Sequence, residues 1–339
     1  MEKTGRSLIV ILCIFSWISL CGPIRAEGKN FTIKFATIAP EGSTWMEYLR
    51  EIDRKILKKT NGRVKFRVYA GGIAGDELDV LRKMRIGQIH AAAFSGVGFG
   101  QILPMVRVLD LPFLFRNPRE IDMVHRELKG FFSERFREKG FELISWAEVG
   151  NAHLFSKKPI YKVEDLSRVK VWTWSGDPLS KETFRALGAN PIPLSITDVT
   201  TALNTGMVDT VYAPPLGALA LQWYRYVSHM NALPLAHSTG AVLLSASTAL
   251  RLGPELLELI RKEFEPALVN LTSELRQQAE EAINLIGASG VKIIPVPKGK
   301  DLRDFYSIHD KVAKVLAGRV YPSDLLERVY EILRKSRQR

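Results

Sequence analysis

The sequence predicts an α/β fold of two lobes braced by one long helix, and three observations carry that prediction. Strand and helix patterns alternate as β-α-β-α-β within about seventy residues of the first half, the grammar of an open sheet with helices on its faces. A further α/β unit begins after a break at Gly150-Asn151. Residues 254–286 then run without a glycine and read as a single helix, about 50 Å long at 1.5 Å per residue, which outspans one lobe and is placed to brace two.

In order along the chain, FTIKFAT (31–37) alternates apolar and polar residues as a half-buried strand does. A helix follows, opened by Ser43 or Thr44 as its cap and closed at Asn61-Gly62. RVKFRVYAG returns to period two, ELDVLRKMRIG carries apolar residues at helical spacing after the GGIAGDE turn, and QIHAAAFSG reads as a buried strand. VLDLPFLFRNPRE is irregular, and residues 119–139 recover as a helix. GFELISWAEVGNAHLFSKKPI is one long strand region broken at Gly150-Asn151, where the chain is expected to cross between lobes. The second unit comprises strand VKVWTW, helices PLSKETFRALG and ITDVTTALNTG, strand MVDTVYA and a helix after Pro214-Pro215. The long helix and the strand VKIIPV follow, with no internal repeat and no low-complexity tract.

The N-terminus reads as a secretory leader. Lys3 and Arg6 precede the apolar run LIVILCIFSWISLCG, and PIRAEG follows as a cleavage region, with the cut expected after Ala26. The run is too short and too close to the terminus for a membrane span. Lipidation at Cys21 is the alternative, opposed by Leu20, which stands where lipoprotein signals carry a small residue. Cys13 and Cys21 both fall within the leader, so the secreted chain is expected to hold no disulfide, thiolate metal site or cysteine nucleophile. A formal charge of +12 makes the protein basic. Its Lys and Arg are nevertheless scattered beside Glu and Asp, not gathered in a stripe with stacking aromatics, which points to a solvated surface and away from nucleic acid.

Motifs of catalysis are scarce. His90, His125, His153, His229, His237 and His309 include no pair at the short spacing of a metal site on one helix. The run GVGFG (96–100) lacks the G-x-G-x-x-G spacing and any acidic residue about twenty positions on, so it reads as a flexible strand-to-helix turn and not as a cofactor loop. Ser95 sits in AFSGV and spells no nucleophile elbow. No catalytic residue, metal or cofactor is expected.

The stretch KVWTWSGDP is informative in another way. Residues two apart in a strand share a face, so Trp172 and Trp174 are expected to project together from the strand end. Asp177 caps the next helix, with Pro178 at its first position. Ligands of open α/β sheets bind beyond the carboxyl ends of the strands, where these rings would stand, although an indole pair can equally fill an interlobe core.

Several phrases together resemble the solute-binding proteins of tripartite ATP-independent periplasmic (TRAP) transporters, the DctP-like family: NGRVKFRVYAGGIAGDELDVLRKMRIGQI, LDLPFLFRNPREID, KGFELISW, FSKKPIYKVEDLSRVKV and RALGANPIPLSITDVTTALNTGMVDTVYAPPL. The resemblance implies a two-lobed periplasmic solute-binding protein fold with a long bridging helix and a cleft that closes on a small solute. It implies delivery to the TRAP membrane permease subunits and no enzymatic activity. The expected division is a leader at 1–26, one lobe from 31–150 plus 238–285, and a second from 151–237 plus 286–339.

The chain departs from the family pattern at three positions. Where most members carry an arginine that grips a substrate carboxylate, this sequence has Trp172; a second common arginine falls near Ala152, and a common asparagine at Ala213. Aromatic residues take their place: Trp172, Trp174 and Tyr212, with Trp146, Phe94 and Phe155 as further candidates. A ring covered by ligand buries about 150–250 Å². These departures imply an apolar or amphipathic solute, and some relatives with such tryptophan-rich sites work beside a helical-repeat lipoprotein, which the resemblance offers as a partner here. Organic acids held by other residues and a cation stacked on the indoles stay open as ligands, as do a periplasmic hydrolase and a basic surface that docks on anionic lipid as functions.

Overall fold

The computed structural model describes residues 30–338. The expected leader, with its cut after Ala26 and the cysteines Cys13 and Cys21, lies outside the described residues. The first unit follows the predicted alternation: β1 (Phe31–Ala36), α1 (Thr44–Lys59), β2 (Val64–Tyr69), α2 (Glu77–Arg85) and β3 (Ala91–Ser95). Strands β2 and β3 pair in parallel on either side of β1. The GVGFG run is a short helix, α3 (Gly96–Gly100), not a flexible turn; a 3-10 helix over Pro104–Asp110 follows, then α4 (Pro118–Glu138).

The long strand β4 (Phe141–Ser156) joins the two halves of the sheet. The second unit adds β5 (Lys170–Trp174), α5 (Pro178–Ala186), β6 (Asn190–Leu194), α6 (Val199–Thr205), β7 (Thr210–Ala213), α7 (Pro215–Ala220), β8 (His229–Asn231) and β9 (Ala236–Ser245). From Phe141 to Ala152, β4 pairs antiparallel with β9, which in turn pairs with β3. From His153 onward it pairs with β7 instead. The exchange of partner coincides with an irregularity between Glu148 and Gly150, and Gly150 adopts a φ of 113°, open to glycine and strained for other residues. The sheet order is β2-β1-β3-β9-β4-β7-β5-β6.

Strand β6 escapes pattern reading because two of its five residues are prolines, NPIPL. Pro191 and Pro193 are two apart, so their missing N–H groups point the same way; β6 is an edge strand paired only with β5, and the edge tolerates them. Strand β9 is marked by no alternation because both of its faces are buried, Ala241 and Leu243 in one core and Val242 and Leu244 in another.

The bridging helix α8 spans Ala246–Ala288 and breaks at Gly253, so the predicted segment begins where Pro254 restarts the helix. It continues through Pro266 in its interior, where the ring removes one backbone donor. Leu256, Ile260, Phe264, Leu268 and Leu271 repeat at helical spacing and enter a core with Phe35, Met46 and Ile52 of the first unit. At its far end Ile286 enters a second core with Trp172, Trp174 and Trp223. One helix thereby contributes to the hydrophobic cores of both units, which fixes the strand ends facing the space between them. The chain ends with β10 (Lys292–Ile294), α9 (Gly299–Leu316) and α10 (Ser323–Arg337). No described helix is long and apolar enough to cross a membrane.

Candidate ligand-binding site

A cavity of about 150 Å³ lies where the carboxyl ends of parallel strands from both units converge. Ile38 after β1, Ser95 at the end of β3, Trp172 and Trp174 on β5, and Tyr212 and Ala213 at the end of β7 all face it. The location follows from topology, since strand ends are where an open α/β sheet leaves backbone and side chains uncovered by helices.

Its aromatic wall is continuous. Trp172 stacks on Tyr212 with ring centroids 5.2 Å apart and an interplanar angle of 25°. Trp174 lies 5.6 Å away on one side, and Trp223 meets Trp172 edge-on at 5.3 Å on the other. Trp172 is almost fully buried, and its Nε1–H donates to the Leu194 carbonyl at 3.1 Å. That bond fixes the ring face toward the cavity without leaving a polar atom unpaired.

Among the sequence-predicted residues, Trp172, Trp174, Tyr212, Ala213 and Ala152 line the cavity. The three positions at which the resemblance expects polar anchors thus hold an indole and two methyl groups on the lining. Trp146, Phe94 and Phe155 do not line it. Trp146 stacks on His125 at 5.1 Å and packs edge-on against Phe132 in a further core that also holds Phe99 and Phe136. Phe94 is buried against Gly98, and Phe155 is fully buried behind the tryptophan wall. All three stand on strands whose alternation aims them away from the cavity.

Sequence reading missed Arg107, Asp110, Trp223 and His237, all of which line the cavity. Arg107 and Asp110 belong to the 3-10 helix, which overlaps the irregular run VLDLPFLFRNPRE only from Val108 onward, and no periodicity signals that such a segment dips into a cleft. Arg107 is buried, and its guanidinium is shared between two carboxylates: Nη1 donates to Asp110, and Nη2 donates to both oxygens of Asp177 at 3.0 and 3.2 Å. Asp110 also accepts the Thr239 N–H at 2.9 Å. Burial pushes the Asp110 carboxyl up to about 6, although Arg107 beside it acts in the opposite direction. Asp177 fills its expected cap role as well, accepting from the N–H groups of Leu179 and Ser180.

Glu77 lies one layer below. Its carboxylate accepts the backbone N–H of Ser95 at 2.6 Å, the Ser95 hydroxyl at 2.8 Å and the N–H of Gly98 at 2.7 Å, and so holds the junction of β3 and α3. Burial raises it to about 7 despite those donors. With the folded value above the unfolded one, the folded state retains a proton that the unfolded state releases, and this contribution falls as pH rises. Glu77→Gln is therefore expected to gain at least about 1 kcal/mol relative to wild type between about pH 5 and about pH 8, read from urea denaturation at the two values. A pH-independent difference between the two proteins would contradict it.

The three glycines of GVGFG are explained by the same groups. A Cβ on Gly96 would overlap Asp110 and Arg107, one on Gly98 would overlap Glu77 and Phe94, and one on Gly100 would press on the Arg107 stem. The glycines are there for close approach, not flexibility. His125 and His237 are held neutral, their pKa values lowered by burial, His125 to about 4. Among the described residues no group of three His, Cys, Asp or Glu is arranged to hold a metal.

A sequence profile of the family described as bacterial extracellular solute-binding protein, family 7, matches residues 35–317. A solute-binding protein of Chromohalobacter salexigens is 31% identical over 166 residues, a match spanning 48% of each chain and so about half of that relative. Among solved structures, a TRAP periplasmic solute-binding protein from Desulfovibrio salexigens with bound orotic acid is similar with a TM-score of 0.85 at 19% identity, covering 90% of this chain and 99% of that one. The sugar-acid-binding protein of Advenella mimigardefordensis in complex with galactonate is similar with a TM-score of 0.85 at 20% identity, covering 91% and 99%. These structural likenesses establish a shared fold.

Proposed function

The chain belongs to the bacterial extracellular solute-binding proteins of family 7, and from that premise we propose that it is the receptor of a TRAP-type transporter for an apolar or amphipathic solute. It works outside the cytoplasm, captures the solute as its lobes close, and delivers it to the membrane permease subunits; a helical-repeat lipoprotein is a further candidate partner. The observation that carries the ligand class is the stacked wall of Trp172, Tyr212, Trp174 and Trp223 at the strand ends. Apolar surface of that kind gains about 25 cal/mol per Å² when a ligand covers it, and a polar solute gains little from it. Closure follows the hinge pattern of two lobes around a site between them.

A second reading, an organic-acid receptor, is favoured by one specific observation, the guanidinium of Arg107 in the lining. The solved structures named above were obtained with orotic acid and with galactonate, both acids. The two readings separate when protein purified without added ligand is extracted with organic solvent and the extract identified by mass spectrometry. A neutral amphipathic molecule is expected, and Trp172→Ala is expected to weaken its rebinding by about 2 kcal/mol, roughly 30-fold, in calorimetric titration. Recovery of a small dicarboxylate or sugar acid alone would decide for the second reading.

A further inference from the structure

The buried cation of the cleft is already neutralised from within the protein. Arg107 stands on the turn after α3, in the first unit, and Asp177 at the start of α5, in the second. Their side chains are only 9% and 2% exposed, and Arg107 Nη2 reaches both oxygens of Asp177. Both oxygens of one carboxylate lie within hydrogen-bond distance of a single guanidinium nitrogen, so Asp177 occupies the charge-assisted contact that the carboxylate of a bound acid would otherwise make with Nη2. The group supplying that carboxylate here is a side chain, held in position by the two N–H groups of α5 that it caps.

Charge balance gives the arrangement its consequence. Arg107 contributes one positive charge, while Asp110 and Asp177 face it with two carboxylates. An acid entering the cavity would find no unpaired cation and would meet the Asp110 carboxylate on the lining, with Asp177 on the far side of Arg107, in a buried setting where repulsion is poorly screened. What the site does offer is donors. Arg107 Nε and Trp174 Nε1, both donors, and His237 Nε2 are buried on cavity-lining residues and have no hydrogen-bond partner. Uncharged oxygens such as a carbonyl, hydroxyl or ether would satisfy both.

From this juxtaposition we infer that Asp177 is a built-in counter-ion for Arg107 that takes the place of a ligand carboxylate, so that the cavity selects uncharged solutes bearing an acceptor oxygen and excludes acids. The pair also spans the cleft: Gln101 Nε2 donates to the Gly176 carbonyl at 2.9 Å and Ser195 Oγ donates to Asp76 at 2.9 Å alongside it. The electrostatic part of lobe closure is therefore supplied by the protein itself. In this respect the inference deepens the receptor reading above and rests on it.

The test uses two probes of one shape, hexanoate and hexanamide, titrated calorimetrically into the full chain at neutral pH. Asp177→Asn keeps the shape and the capping oxygen while removing the charge, and a hexanoate carboxylate would then restore the wild-type balance around Arg107. The variant is expected to bind hexanoate at least about 10-fold more tightly than wild type does. Arg107→Gln combined with Asp177→Asn is expected to lose that gain, because the acid then has no guanidinium to meet. Asp177→Ser, which retains a capping hydroxyl, serves if the asparagine variant does not fold. Equal hexanoate affinity in wild type and variant, or a gain that survives without Arg107, overturns the inference. Hexanamide on wild type reports separately on the apolar-receptor reading: failure to bind sinks that reading and leaves the hexanoate comparison standing.

Discussion

Arg107→Met is expected to lower the free energy of unfolding by about 3–5 kcal/mol near neutral pH, because it strands two buried carboxylates without their shared cation. Methionine keeps the volume of the stem, so lost packing contributes little and the deficit is electrostatic. That origin gives the loss a pH dependence with a definite sign. Asp110 already sits at about 6, above the ordinary carboxylate range. Removing Arg107 removes an influence that lowers it, so its folded pKa rises further above the unfolded value. A group shifted that way binds more protons folded than unfolded through the acid range, and stability rises as the pH falls. The deficit of the variant is therefore expected to shrink by at least about 1 kcal/mol between about pH 7.5 and about pH 5.5, since a protonated Asp110 needs no counter-ion. Urea denaturation of both proteins at the two pH values checks it. A deficit that stays constant would mean that packing, not charge, is what Arg107 supplies.

The elements that position the site were legible wherever a single physical signal dominates. Period-two alternation marks β1 and β2, helical spacing marks α2, and the Asp177-Pro178 pair marks the start of α5 because a cap and an N1 proline leave few other conformations open. The same strand logic brings Trp172 and Trp174 to one face of β5, where both meet the cavity. The failures have equally specific causes. Strand β6 hides behind its prolines, and GVGFG resembles a flexible turn because the reason for its glycines lies about ten residues away in sequence, in Arg107 and Asp110, and in Glu77 on the other side. Arg107 itself gives no local sign of its role. Its neighbours in MVRVLD are the apolar residues of any core turn, and its partner Asp177 is 70 residues distant. A buried pair assembled from two units is a property of tertiary placement, and no window of sequence contains it. The aromatic candidates Trp146, Phe94 and Phe155 illustrate the converse: ring chemistry made them candidates, while strand direction, unknown until the ladder with β9 and β7 is seen, buries them elsewhere.

Gly96→Ala is expected to destabilise the protein by about 3 kcal/mol, as large as the cost of overpacking a rigid core. The added methyl would overlap the carboxylate of Asp110 and the guanidinium of Arg107. Both are the far ends of side chains, and far ends usually swing aside at little cost. These are tethered: Asp110 by the N–H of Thr239, and Arg107 by Asp177 across the cleft. Moving either one breaks a buried charged hydrogen bond, so the methyl acts through the ion pair and not through volume alone. The two substitutions should then be coupled. With Arg107→Met already present, one of the two groups in the way is gone and the pair it would disrupt no longer exists. Gly96→Ala in that background is expected to cost about 1–3 kcal/mol less than in wild type, measured as a double-mutant cycle by urea denaturation. Additive losses would show that Gly96 is required by the backbone of α3 itself, and that the glycines of this helix and the counter-ion cluster beneath them are independent features of the fold.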